Sequence, residues 1–137
     1  QAALGCAQLE RYGELTAKRQ RVLDLYREAF ADTSISINPG RPWSTPVPWL
    51  VCALLREETT SAERDALMAR LKDDGIDSRP YFIPLCHMPP YESCRRVGAR
   101  GPGTPVADDL SARGLNLPSV TWIGKADVQR VRTSLGE

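Results

Sequence analysis

The densest concentration of reactive side chains lies between Arg79 and Tyr91, in the stretch Arg79-Pro80-Tyr81-Phe82-Ile83-Pro84-Leu85-Cys86-His87-Met88-Pro89-Pro90-Tyr91. Its thirteen residues hold a fork-shaped cation, two phenols, the only histidine of the chain and four prolines. A guanidinium matches the geometry of phosphate and carboxylate oxygens, and aromatic faces pack against sugars and bases. Proline-stiffened backbone would hold such groups in place with little entropy left to lose. From the residues alone two readings stand. The loop presents Arg79, Tyr81, Phe82, His87 and Tyr91 to a ligand, or it is a packed loop whose aromatics bury area.

Other chemistries find less support. His87 has no carboxylate neighbour in the sequence, so a general-base role rests on nothing local. Nothing beside Cys86 marks it as an activated nucleophile. The only lysines, Lys18, Lys72 and Lys125, sit in charged helical or capping contexts rather than the apolar setting that makes an amine a Schiff-base nucleophile. A metal set from Cys86, His87 and Cys94 would place two ligands on adjacent residues and lacks a fourth, so no metal is expected. Gly101-Pro102-Gly103 is a turn, since proline removes a donor that a phosphate cradle would need.

These residues need a scaffold, and its largest piece is the proline-free stretch from Gln1 to Phe30. At about 100° per residue, Leu4, Tyr12, Leu15, Val22, Leu23, Tyr26, Ala29 and Phe30 fall on one face. Glu10, Glu14, Arg21, Asp24 and Glu28 lie opposite, which predicts one long amphipathic helix. Arg19 projects into the apolar face, as an ion-pair partner or a snorkelling stem. The small or apolar first turns, Ala2 to Ala7, should be covered by another mass of protein. A chain that begins in mid-helix without a cap reads as a domain cut from a longer polypeptide.

Downstream, five prolines and glycines between Ala31 and Pro48 (Pro39, Gly40, Pro42, Pro46, Pro48) predict an irregular crossover, and Trp43 within it should need cover. Trp49 to Leu55 is an apolar run of strand length, expected to be covered on both faces. Thr60-Ser61-Ala62-Glu63 is a capping-box pattern opening a helix from about Ser61 to Asp74, with Gly75 as its stop. Ile76 to Phe82 reads as a second strand, which Pro80 confines to an edge. Ile83 to Gly103 is mostly loop. Thr104 before Pro105 predicts a capped short helix ending near Gly114, Leu115 to Pro118 a brief extended piece, and Lys125 to Leu135 a last helix. The order predicts an α/β sandwich of α+β type, with helices against a small mixed or antiparallel sheet.

Composition narrows the classes further. One domain fits 137 residues, and 18 basic residues against 17 acidic ones without a basic cluster argue against nucleic acid as a partner. No apolar run approaches the roughly 20 residues of a membrane span and no signal-peptide pattern is present. Four scattered cysteines suit reduced thiols, and the reading is a cytoplasmic protein.

Several of these segments resemble a known family when taken together. Gln1 to Gly5, Ala7 to Glu10 and Ala17 to Arg19 are similar to the helix that opens the C-terminal part of the DegT-type (DegT/StrS) sugar-nucleotide aminotransferases. Gly75 to Phe82, Pro84-Leu85 and Met88 to Tyr91 resemble the perosamine-synthase branch, and Pro105 to Ala107 and Leu115 to Pro118 match the family's closing segment. Two departures stand out. Family members often carry histidine directly after Pro-Leu, where this chain has Cys86 and then His87, and the last helix begins Gly124-Lys125-Ala126-Asp127 where a threonine and acids are usual.

The resemblance implies the C-terminal small domain of a fold-type-I aminotransferase, with residues 1–32 as the long inter-domain helix and 33–137 as the small α/β domain. It implies an enzyme, usually a homodimer, that uses pyridoxal 5'-phosphate to move an amino group from glutamate to a keto sugar nucleotide. The Schiff-base lysine would belong to a large cofactor-binding domain outside the chain, and the fragment alone should be inactive. Arg79, Tyr81, Phe82, His87 and Tyr91 would then form the substrate-side group, with Arg79 answering negative charge. A non-catalytic binding or assembly module of the same fold is the alternative, and an unrelated small ligand-binding domain a more distant one.

Overall fold

In the computed structural model, residues 1–94 and 105–137 are described. The opening helix is two helices, α1 (Ala2–Glu10) and α2 (Tyr12–Ala29), parted at Arg11. No residue of α1 is buried, and Leu4 is 68% exposed. At the junction the Arg11 guanidinium hydrogen-bonds Glu14, which also pairs with Lys18, and these contacts draw the Glu14 carboxyl down to about 2. The apolar face predicted for the helix is therefore used only in its second half, where Val22, Leu23, Tyr26 and Phe30 are buried while Tyr12 remains exposed. Arg19 neither pairs with an acid nor simply snorkels: its Nη1 donates to the Trp49 carbonyl at 3.0 Å.

Among the described residues, four short strands follow one another across an antiparallel sheet in the order β1 (Ser36–Ile37), β2 (Val51–Leu54), β4 (Gly114–Leu117) and β3 (Arg79–Pro80). Register sorts the side chains. Ile37 lies opposite Ala53, Ala53 opposite Leu115, and Val51 opposite Leu117, which sends these apolar residues to one face. There they join α2, Leu71 of α3 (Ser61–Asp73), and Val128, Val131 and Leu135 of α5 (Lys125–Leu135) in a single core. Tyr26 at the centre donates its hydroxyl to the Pro118 carbonyl at 2.9 Å, and burial pushes its phenol well above the ordinary range. The α+β sandwich expected from the sequence is the observed architecture.

Local chemistry explains the element ends. Thr60 Oγ1 accepts from the Glu63 amide while Glu63 Oε2 accepts from the Thr60 amide, the reciprocal cap expected at α3. Gly75 leaves the helix at φ 73°, where a side chain would be strained. Asn38 turns the chain from β1 at φ 39° and braces the turn twice, with Nδ2 donating to the Leu50 carbonyl and Oδ1 accepting from the Cys52 amide.

Several expectations need correction. Strand β1, inside the segment read as irregular, was masked by its two-residue length. The run Trp49 to Leu55 is a strand only from Val51 to Leu54, with Trp49 63% exposed and Cys52 half-buried. Trp43, expected to be covered, is 85% exposed. Of Ile76 to Phe82 only Arg79–Pro80 pairs, at the sheet edge as the proline required. The brief extended piece at Leu115 is a central strand with every residue buried. Residues 83–94 hold two 3-10 turns, Leu85–His87 and Pro89–Tyr91. The cap expected from Thr104, and the glycines 98, 101 and 103, lie outside the described residues.

Candidate functional site

The face of the sheet turned away from the core carries polar chemistry. Cys52, Asn116 and Arg79 sit side by side across β2, β4 and β3. Cys52 Sγ donates to Asn116 Oδ1 at 3.2 Å, and Asn116 Nδ2 donates to the Pro80 carbonyl at 3.2 Å. A polar line thus runs from the Pro80 carbonyl at the edge strand to Cys52 on the middle strand, with Tyr81 next in sequence to Pro80. Burial, followed by the neighbouring Cys52 thiol, raises the Tyr81 phenol above its usual range, and burial also raises the Cys52 thiol. Asn116 is itself buried.

Tyr81 owes its place to Gly114. The Tyr81 amide donates to the Gly114 carbonyl at 3.0 Å, and the ring lies so close that a Cβ on residue 114 would fall 1.4 Å from Tyr81 Cδ2. The ring is thus half-buried. Tyr81 anchors the root of the loop, and its neighbour projects differently: Phe82 is exposed and stacks on Trp49, with ring centroids 6.5 Å apart and planes 16° apart.

Farther along, the first 3-10 turn carries His87 to α4 (Pro105–Arg113), where its Nε2 lies 2.6 Å from Asp108 Oδ1. Helix α4 is fastened to the scaffold by Arg113, which pairs with Asp109 at 2.9 Å and donates to the Leu55 carbonyl at 2.7 Å. Buried Arg64 of α3 donates to the Ser111 carbonyl. Between the loop and these helices opens a cleft of about 350 Å³, lined by Tyr81, Ile83, His87, Asp108, Arg64 and Ser111 among others. A larger hollow of about 730 Å³ between Ile35, Arg56, Leu67 and Arg70 lies away from this cluster and adjoins none of the predicted residues.

The five predicted residues are therefore arranged in parts. Tyr81 and His87 share the cleft, Phe82 belongs to an aromatic pair with Trp49, Arg79 stands exposed on the edge strand, and Tyr91 is exposed at the end of the second turn. Sequence reasoning missed Asp108, which is 21 positions from His87 and sits in the first turn of α4. It also missed Asn116 and Gly114, which fix Tyr81 from a strand whose centrality no local pattern reveals.

Donor atoms of Cys86, His87 and Asp108 lie within 4.8 Å of one another. Ligands of a tetrahedral zinc stand about 3.3 Å apart given bonds near 2 Å, and a 2.6 Å separation of Nε2 from Oδ1 is a hydrogen bond instead. A covalently held aldehyde cofactor needs an amine that is readily deprotonated. Lys18 and Lys125 are exposed and ion-paired, to Glu14 and Glu28, and Lys72 is exposed on α3. None suits that chemistry.

A two-layer α+β domain with an aromatic- and arginine-bearing edge loop over a small cleft is the class of protein defined here. Residues 1–136 match the DegT/DnrJ/EryC1/StrS aminotransferase family, and the chain belongs to that family. The GDP-perosamine synthase of Caulobacter vibrioides is 34% identical over all of this chain and 36% of its own, and that of Vibrio cholerae 33% identical over 93% of this chain and 33% of its own. The solved structure of DesI in the presence of its TDP-sugar product is 32% identical, with a TM-score of 0.77 over 98% of this chain and 33% of that one. The chain spans about a third of the length of the relatives it matches.

Proposed function

We propose that these residues form the C-terminal domain of an aminotransferase that uses pyridoxal 5'-phosphate to transfer an amino group from glutamate to a keto sugar nucleotide, in deoxysugar or aminosugar biosynthesis for a polysaccharide. The observation that carries this is the ordered match along nearly the whole chain to two GDP-perosamine synthases, each about three times its length. Residues 1–32 act as the inter-domain helix and 33–137 as the small domain. The cofactor supplies the amino-group relay from a large domain, since no lysine here is suited to hold it. The bare first turns of α1 and the exposed Trp43 fit a surface that this large domain covers in a cytoplasmic homodimer.

The chain's own contribution is substrate binding. Arg79 meets phosphate or carboxylate charge, and Phe82 with Trp49 offers a flat apolar platform. Tyr81 fixes the loop root, while His87 and Tyr91 border the space that the sugar nucleotide enters. The test is borohydride reduction of the isolated chain with pyridoxal phosphate. The expected result is no specific adduct and no transamination; a stoichiometric adduct on Lys18, Lys72 or Lys125 would contradict the assignment of the cofactor to another domain.

A further inference from the structure

We propose that Asp108 is the positioning residue for His87, fixing the ring so that a substrate hydroxyl meets a bare Nδ1 acceptor; this rests on the function proposed above. An ionised carboxylate only accepts hydrogen bonds, so at 2.6 Å from Asp108 Oδ1 the Nε2 atom must carry the proton. A neutral ring then has its lone pair at Nδ1. Which imidazole nitrogen carries the proton is set by the bond the other makes, and here that bond also ties the loop to α4. The tie is needed locally. The turn Leu85–His87 spans three residues and none of them is buried, so packing alone does not hold the ring. Helix α4, by contrast, is anchored through Arg113 and through the Ser111 carbonyl, which makes Asp108 a fixed post beside the cleft. A site built to accept from a hydroxyl discriminates against the analogue lacking it, because the acceptor is then left unpaired. The ligand class is accordingly a hydroxyl-bearing sugar ring.

The chain has one histidine, so histidine-selective nitrogen-15 labelling gives one ring to follow by NMR. The expected spectrum has an Nε2–H correlation protected from water exchange, kept in Asp108→Asn, whose amide oxygen still accepts, and lost in Asp108→Ala. An unprotonated Nε2 in the unsubstituted chain, or the same protection in Asp108→Ala, would overturn the pairing. In the intact enzyme, Asp108→Ala should raise KM for the keto sugar nucleotide roughly tenfold, the loss of about one oriented hydrogen bond, and add nothing further in a His87→Ala background. Asp108→Asn should recover most of the loss. An active enzyme whose Asp108→Ala variant keeps its KM refutes this inference alone. An enzyme inert toward every keto sugar nucleotide refutes the proposed function and with it the substrate role of Asp108, while the NMR result still decides the pairing.

Discussion

Replacing Gly114 with alanine is expected to break the connection between the middle strand and the edge loop. The new methyl would lie 1.4 Å and 2.1 Å from two Tyr81 ring carbons and 2.5 Å from the Leu110 carbonyl oxygen, all inside the 3.0 Å that real Cβ contacts essentially never cross. Tyr81 cannot yield cheaply, because its amide is bonded to the Gly114 carbonyl and its ring is half-buried. Overpacking of this kind costs about 1–3 kcal/mol. That loss, about 1–3 kcal/mol, is read by urea unfolding of the chain followed by circular dichroism. With a slope of about 2 kcal/mol per molar, the midpoint should fall by about 0.5–1.5 M. Part of the loss should disappear in a Tyr81→Ala background, since the ring is the main obstacle, although the Leu110 carbonyl still resists. A loss below about 0.5 kcal/mol, or strict additivity with Tyr81→Ala, would refute the idea that this contact sets the position of Tyr81.

Further outcomes follow from other contacts. Thr60→Ala removes one half of the capping box of α3 and should cost about 1 kcal/mol in the same unfolding assay. Asn38→Ala strips two hydrogen bonds from a left-handed turn and should cost about 2–3 kcal/mol, with Asn38→Gly recovering only the backbone part. Stability should fall with alkaline pH: Tyr26 is held protonated in the fold above its ordinary value of 10.0, so the unfolded chain releases that proton first. The stabilisation is complete below about pH 10 and declines above it by at most about 1.4 kcal/mol per pH unit for each such phenol. Tyr26→Phe should lose the Tyr26 share of that slope, measured by unfolding at pH 9, 10 and 11.

What could be read in the sequence was whatever local periodicity or a cap encodes. Thr60 and Glu63, the stop at Gly75, the edge placement of Pro80, and Val128, Val131 and Leu135 of α5 each depend on neighbours within a few residues. What escaped depends on partners far along the chain. Leu115 to Leu117 offers too few residues to announce a strand, and only pairing with both β2 and β3 makes it central. The helix face from Leu4 to Tyr12 was legible as apolar, yet it stays exposed among the described residues, so periodicity told which side is greasy but not what meets it. The loop from Arg79 to Tyr91 was recognisable by its residue types. Its division into Tyr81 on the sheet, Phe82 on Trp49 and His87 on Asp108 was not, because three different remote partners impose it.

The most direct measurement is transfer of nitrogen-15 from labelled glutamate by the complete polypeptide that carries these residues, given pyridoxal 5'-phosphate and a GDP-linked keto sugar. Label appearing in an amino sugar nucleotide, with a weaker KM when Arg79 is changed to alanine, is the result expected. Glutamate that converts the cofactor to its amine form while no keto sugar nucleotide ever takes up the label would contradict the account.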